Sequence, residues 1–311
     1  MISAFGFRDC LRKKPEVYNP NSSTSNMTQL VWLVTGCSSG FGEAFVHSIL
    51  ARGDKIIATA RNVSKLDSLG ANGAQILQLD ITASQEQLDS CMKDALAIYG
   101  HIDVLVNNAG YTELGTLEEM MHDRWLAQLG TNLFGTINVT RSLMPHFREK
   151  KSGVVVFIGS MAGWKGDAVA GAYCSSKAAL EIVVESFQAE TESLGIKSLI
   201  VEPGMFRTAL LSANNIKSVD NKFQEYKTLS DAVIGGAKGY SGQQQGDPYK
   251  AVEVIIDIVK QEGKAAGKGI PAKLPLGADA VAVMRKKCTD VLKLLDDWEE
   301  ISSSTGFSLG T

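Results

Sequence analysis

The chain has 311 residues, 44% of them hydrophobic, with 34 acidic against 31 basic side chains and a formal charge of −3. That much apolar material buries the core of one or two domains and excludes disorder as the main state. The mild acidity supplies no positive field for a phosphate backbone, so nucleic acid is excluded as the main partner and small molecules are favoured.

Residues 1–27 mix charges, Pro15, Pro20 and the polar run Asn21–Asn26, a composition too poor in apolar surface to order itself. A disordered tail is expected there, with Met27 as an alternative natural start; a transit peptide is the functional alternative, and Asp9 and Glu16 interrupt its acid-poor pattern. From Leu30, apolar runs of strand length alternate with helical periodicity. Strands are expected at Val31–Thr35, Lys55–Ala60, Gln75–Leu79, Val104–Asn107, Val154–Ile158 and Ser198–Val201. Helices are expected around Gly42–Ala51, Ser84–Tyr99, Glu118–Pro145, Tyr173–Leu194 and Lys250–Glu262. Six β–α alternations predict an α/β fold, a Rossmann-type doubly wound parallel sheet. Domain 28–311 divides into a dinucleotide-binding and catalytic core over 28–204 and a substrate loop with C-terminal extension over 205–311. Residues 205–249, rich in Gly and polar residues, read as a mobile lid with short helices. Val281, Met284, Cys288, Val291, Leu295 and Trp298 recur at spacings of three and four, predicting a closing amphipathic helix over Ala278–Trp298 that packs on the core.

Five scattered cysteines with no C-x-x-C pair, and four histidines, give no disulfide framework and no metal site. No run approaches about 18 apolar residues, and no apolar h-region follows the N-terminal charges, so a soluble, reducing, cytoplasmic setting is expected without a membrane span.

The first strand leads into Thr35-Gly36-Cys37-Ser38-Ser39-Gly40-Phe41-Gly42 and then a helix. Glycines permit positive φ and close backbone approach, and a helix N-terminus favours a pyrophosphate, so this junction reads as a dinucleotide cradle. Taken with Asn107-Asn108-Ala109-Gly110, Ser160, Tyr173-x-x-x-Lys177 and Pro203-Gly204, it resembles the classical short-chain dehydrogenase/reductase family over roughly Leu30 to Thr208. The segment Pro275-Leu276-Gly277-x-Asp279-Ala280 is similar to the retinol- and hydroxysteroid-dehydrogenase branch, which also supplies ketoreductases to secondary metabolism. Glycine spacing and length fit less well with the extended, epimerase-type branch.

The resemblance implies a nicotinamide dinucleotide held by Gly36, Ser38, Ser39, Gly40, Phe41 and Gly42. Where an NAD enzyme places an acid on the ribose 2′-OH, this chain has Arg61, which fits a 2′-phosphate and favours NADP(H) over NAD(H); a plain solvated arginine is the alternative. Asp80 and Ile81 are expected on the adenine, unless Asp80 caps the next helix. Asn108, Ala109 and Gly110 are expected to pack beside the cofactor. Arg141 matches a basic position near it, an outward arginine being equally open. Pro203, Gly204, Phe206 and Thr208 are implied to bracket the nicotinamide.

Tyr173 and Lys177, at i and i+4, share a helix face. An adjacent ammonium favours a phenolate, so Lys177 is expected to lower the Tyr173 pKa and make it a usable acid/base, and the resemblance adds a lysine bond to the nicotinamide ribose. Ser160 is expected to polarise a substrate carbonyl, and Asn132 to hold a water in a proton relay, by resemblance. A serine hydrolase is set aside because Gly159–Gly163 lacks the G-x-S-x-G spacing, and Cys174 reads as a packed small residue.

Trp164, Met161, Phe206, Leu210 and Leu211 lie near the expected active face and suggest a hydrophobic ketone, aldehyde or alcohol, ordinary core being the alternative. The expected activity is NADP(H)-dependent oxidoreduction; the rival is an NADP(H)-binding regulator or scaffold without turnover. Apolar positions on several sides of Leu126–Leu143 and Lys177–Leu194 predict a homodimer or homotetramer.

Overall fold

The alternating pattern folds as a seven-stranded parallel sheet in the computed structural model, which describes residues 29–212 and 215–307. In chain order the elements are β1 (Val31–Val34), α1 (Gly40–Ala51), β2 (Lys55–Ala60), α2 (Asp67–Ala71), β3 (Gln75–Gln78), α3 (Gln85–Tyr99), β4 (Val104–Asn107) and β5 (Thr112–Leu114). They continue with α4 (His122–Leu129), α5 (Thr136–Lys150), β6 (Gly153–Ile158), α6 (Gly171–Thr191), β7 (Ile196–Pro203), β8 (Ile216–Ser218), α7 (Gln224–Tyr240), α8 (Pro248–Lys260), β9 (Lys273–Leu276) and α9 (Ala278–Ser302). The sheet order is β3-β2-β1-β4-β6-β7-β9, so the winding reverses beside β1, and a crevice opens at the C-terminal ends of β1 and β4.

Successive strand residues point to opposite faces, which divides the core in two. Trp32, Val34, Ile56, Val106 and Val201 pack under α1 and α8 with Phe45, Ile49 and Ile255. Val31, Leu33, Ile57, Leu105 and Ile200 pack under α3, α5 and α6 with Met92, Phe147 and Leu180. A buried ion pair, Lys260 Nζ to Asp54 Oδ2 at 3.0 Å, joins α8 to the α1–β2 turn, and Trp32 Nε1 donates to the same carboxylate at 3.1 Å. Ser84 and Gln87 form a capping box that starts α3, and Gly100, with φ +79°, ends it.

Four expectations are corrected. The single helix expected over Glu118–Pro145 is α4 and α5 joined by a wide turn over Gly130–Gly135, and α5 runs past Pro145 to Lys150. The widened turn carries Asn132 inward, a common reason for such bulges at functional sites. A seventh strand, β9, extends the sheet, and β5 pairs with β8 in a separate two-stranded ribbon. The lid is built on α7, a 17-residue helix, rather than on short pieces. The α9 stripe packs on the core only at its start: Ala280 and Met284 are buried, whereas Val281 and everything from Arg285 to Phe307 are exposed. The expectation for residues 1–27 lies outside the described residues.

Candidate active site

The glycine loop forms one wall of the crevice. Gly36 (φ +73°) and Gly40 (φ +63°) adopt left-handed backbone that favours glycine. Gly42 is required by space, for a Cβ there would stand 2.3 Å from the Gly36 carbonyl oxygen and 2.8 Å from Asn108 Nδ2. The Thr35 hydroxyl accepts the N–H groups of Asn108 and Ala109 at 2.9 and 3.0 Å. The Asn108 amide donates to the Thr35 and Gly36 carbonyls at 2.8 and 3.1 Å. Ser39, at the N-cap of α1, makes no side-chain cap bond, and Ser38, Ser39, Gly40 and Phe41 line the crevice. The first N–H groups of α1 thus face it with their partial positive charge, in a cradle that only glycines leave open; it fits a pyrophosphate. Cys37 is buried in the loop, and burial pushes its thiol up to about 12, which leaves it a packing group.

The segment after β7 closes over this loop. A Cβ on Gly40 would lie 3.1 Å from Thr208 Cβ, and the Phe41 and Phe206 rings pack with centroids 5.2 Å apart. Asp279, at the start of α9, accepts the Met205 N–H at 2.6 Å, and its Oδ1 would stand 2.0 Å from a Cβ on Gly204. Gly204 therefore lets Asp279 anchor the Pro203–Thr208 segment, a role the Pro-Leu-Gly-x-Asp-Ala pattern signalled only as resemblance.

Arg61, Asp80, Ile81 and Asn108 also line the crevice. Asp80 Oδ1 accepts the N–H and hydroxyl of Thr82 at 2.9 and 2.7 Å, closing a turn at the rim, while Ser84 takes the α3 cap. Arg141 is not brought to the crevice. It is exposed on α5, donates to Asn138 at 3.4 Å and lies near Asp89 of α3, because its position on the helix faces α3.

Ser160, Tyr173 and Lys177 line the same crevice. Ser160, just past β6, accepts the Ala162 N–H at 3.1 Å, and its hydroxyl lies near enough to the Tyr173 phenol to favour the ionised form. Burial pushes the Tyr173 phenol above its ordinary value, with the Ser160 hydroxyl opposing. This corrects the expectation that Lys177 lowers it. The Lys177 ammonium, 7% exposed, instead donates to the Ile158 carbonyl at 2.7 Å, and burial lowers its own pKa to about 8. Sharing a helix face put the two side chains on one wall, but the strand-end carbonyl captured the ammonium.

Asn132 is buried, and its amide is engaged: Oδ1 accepts the Tyr111 N–H at 3.1 Å, and Nδ2 donates to the Tyr111 carbonyl at 3.0 Å and to Ser176 Oγ at 3.1 Å. A Cβ on Gly110 would meet Asn132 Oδ1 at 3.2 Å and Lys177 Nζ at 3.9 Å, so Gly110, Asn132 and Lys177 form one cluster. The side chain pins the Gly110–Tyr111 backbone, which the spacing alone did not foretell.

The crevice widens under α7, and crevice and widened part together enclose about 1220 Å³. Met161, Phe206, Leu210 and Leu211 line it, as expected, and so do Leu114, Val233, Ala237 and Tyr240. Trp164 does not; its indole donates to Glu202 at 2.9 Å behind the Ser160 turn. Lys217 lies 4.4 Å from the Tyr111 ring centroid at the cavity edge, a residue sequence reasoning missed because its strand is only three residues long. Cys174 is buried and its thiol is raised by burial, as befits a packed side chain.

This architecture has clear relatives. The short chain dehydrogenase family profile matches residues 30–218. The chain is similar to Oxidoreductase BOA17 of Botryotinia fuckeliana, 31% identical over 277 residues that cover 88% of this chain and 97% of that protein. Among solved structures, a short-chain dehydrogenase from Streptomyces avermitilis is 36% identical, superposes with a TM-score of 0.79, and covers 91% of this chain and 100% of that one. A short-chain dehydrogenase/reductase from Burkholderia phymatum, solved with NAD, shares the fold at 20% identity and a TM-score of 0.71, covering 93% and 100%. The chain belongs to the short-chain dehydrogenase/reductase family and is a nicotinamide-dinucleotide-binding oxidoreductase.

Proposed function

We propose that the protein is an NADP(H)-dependent oxidoreductase that reduces a ketone or aldehyde, or oxidises the corresponding alcohol, on a hydrophobic small molecule. One observation carries this reading: Ser160, Tyr173 and Lys177 line the same cavity as the glycine cradle. Bound in that cradle, the dinucleotide supplies or accepts hydride at its nicotinamide ring. Ser160 directs its hydroxyl at the substrate oxygen as negative charge builds there, and Tyr173 gives that oxygen its proton. In this reading Lys177, which is buried beside the Ile158 carbonyl, holds the cofactor's ribose, and Asn132, which bonds the Tyr111 backbone, steadies the segment beside it.

Arg61 supports NADP(H): a guanidinium forks onto a 2′-phosphate, and a carboxylate at that strand end would repel one. The Burkholderia protein of the same fold carries NAD, so the fold leaves this choice to side chains. Apolar lining by Leu114, Met161, Leu210 and Val233 supports a hydrophobic substrate. Exposed Leu126, Phe134 and Ile182 on the α4–α6 side support a homo-oligomer. No helix among the described residues is long and apolar enough to cross a membrane. The described cysteines are free thiols, which suits a cytoplasmic, reducing setting.

The test is oxidation of NADPH and of NADH with a panel of apolar ketones and aldehydes. Turnover with NADPH is expected; tight NADPH binding without turnover of any carbonyl would replace the enzyme with a dinucleotide-sensing regulator.

A further inference from the structure

Among the described residues, nothing packs on a large apolar face of the last helix. Ala280 and Met284 anchor α9 to the body, and beyond them Leu292 (62% exposed), Leu295 (59%), Trp298 (53%) and Ile301 (63%) stand in solvent. A helix with no packed face has little beyond its own propensity to hold it together. The apolar residues follow a rule: Val281, Met284, Cys288, Val291, Leu295 and Trp298 alternate by three and four, the a and d positions of successive heptads.

Charge along the helix says what covers this face. Arg285, Lys286 and Lys287 cluster near the body, and Asp296, Asp297, Glu299 and Glu300 cluster at the far end. A parallel copy would set like charges side by side, whereas an antiparallel copy sets each basic cluster on an acidic one. A membrane surface fits poorly, because α9 carries six acidic against four basic side chains and its far end would meet anionic headgroups.

We propose that the distal part of α9 pairs with the same helix of a second copy, antiparallel, about a two-fold axis level with Lys293. Heptad geometry then fixes the register. Val291 packs on the partner's Leu295, and Cys288 on the partner's Trp298. Leu292 meets the partner's Leu292, and Leu294 the partner's Leu294. Leu292 and Leu294 make the flanking positions apolar beside the axis, which widens the apolar arc at mid-helix, and Ile301, at the flanking position seven residues after Leu294, falls level with the aliphatic stem of the partner's Lys287. Further out, Arg285 faces the partner's Glu299. The interface is isologous, as a two-fold requires, and is separate from any pairing through α4–α6.

Sedimentation of the full chain tests this, with NADPH binding and thermal melting as controls on folding. Leu295 is exposed, so Leu295→Glu is expected to halve the assembly mass while binding and melting stay as in the wild type. Arg285→Glu is expected to weaken the pairing about tenfold, since it turns two attractive contacts per dimer into repulsive ones. Arg285→Glu combined with Glu299→Arg is expected to restore it. An unchanged mass for Leu295→Glu would overturn the proposal, and so would a double charge exchange that pairs no better than Arg285→Glu alone.

Discussion

Replacing Lys177 with methionine separates the lysine's burden on the fold from its use in the site. In the cofactor-free protein, burial lowers this ammonium from 10.5 to about 8. The unfolded chain therefore holds the proton more tightly, and between those two values it binds more protons than the folded state. By linkage, the burden of the buried charge is full below pH 8 and is relieved as pH rises from about 8 towards 10.5, so stability increases with pH across that window. At 1.36 kcal/mol per unit, the relief between about pH 7 and about pH 9.5 is about 2 kcal/mol. Lys177→Met has no such proton to lose. Urea unfolding of both proteins without cofactor, at those two pH values, should therefore show the wild type gaining about 2 kcal/mol on the variant at the higher pH. The bond to the Ile158 carbonyl changes from an ammonium to an amine donor across this window, and that change is part of what the folded-state pKa already expresses. A difference that stays flat with pH would refute the claim that Lys177 is held as a buried ammonium. The same variant should lose turnover and bind NADPH more weakly.

Tyr173→Phe should lower kcat by about 10²–10⁴-fold with NADPH affinity nearly unchanged, because it deletes only the phenolic hydroxyl; stopped-flow reduction and fluorescence titration measure the two. Arg61→Ala should reduce the preference for NADPH over NADH about tenfold, a loss of about 1.4 kcal/mol, read from titration of both nucleotides. Gly42→Ala should abolish cofactor binding, since its Cβ would come 2.3 Å from the Gly36 oxygen and force the loop open; calorimetric titration with NADPH checks it. Lys260→Met strands the Asp54 carboxylate, 2% exposed, and should destabilise the protein by about 3–5 kcal/mol in denaturant unfolding.

The central strands β1, β2, β4, β6 and β7 were legible because they are buried on both faces and read as largely apolar runs, whereas the half-buried edge strand β9 was not. Strands as short as β5 and β8, three residues each, carry no such run and exist only because the ribbon they form closes one side of the cavity. The break between α4 and α5 was equally hidden: the helical pattern continues through Gly130–Gly135, and the turn that widens there carries Asn132, whose amide bonds the distant Tyr111 backbone.

For the site, residue type and spacing determined which groups would gather: the glycine cradle, Arg61 at the end of β2, and Tyr173 with Lys177 on one helix face. Those are local properties, set by φ preferences, strand ends and the helical repeat. What each group does once gathered was decided by its neighbours in three dimensions. The Ile158 carbonyl took the Lys177 ammonium, burial raised Tyr173 where a nearby positive charge had been expected to lower it, Tyr111 occupied the Asn132 amide, and Glu202 drew Trp164 away from the cavity. Hydrogen-bond capture and desolvation depend on atoms brought close from distant parts of the chain, and no spacing in one segment reports them. The α9 stripe shows the same division: its heptads are written in the sequence, but only the tertiary structure reveals that the body of the protein leaves them uncovered.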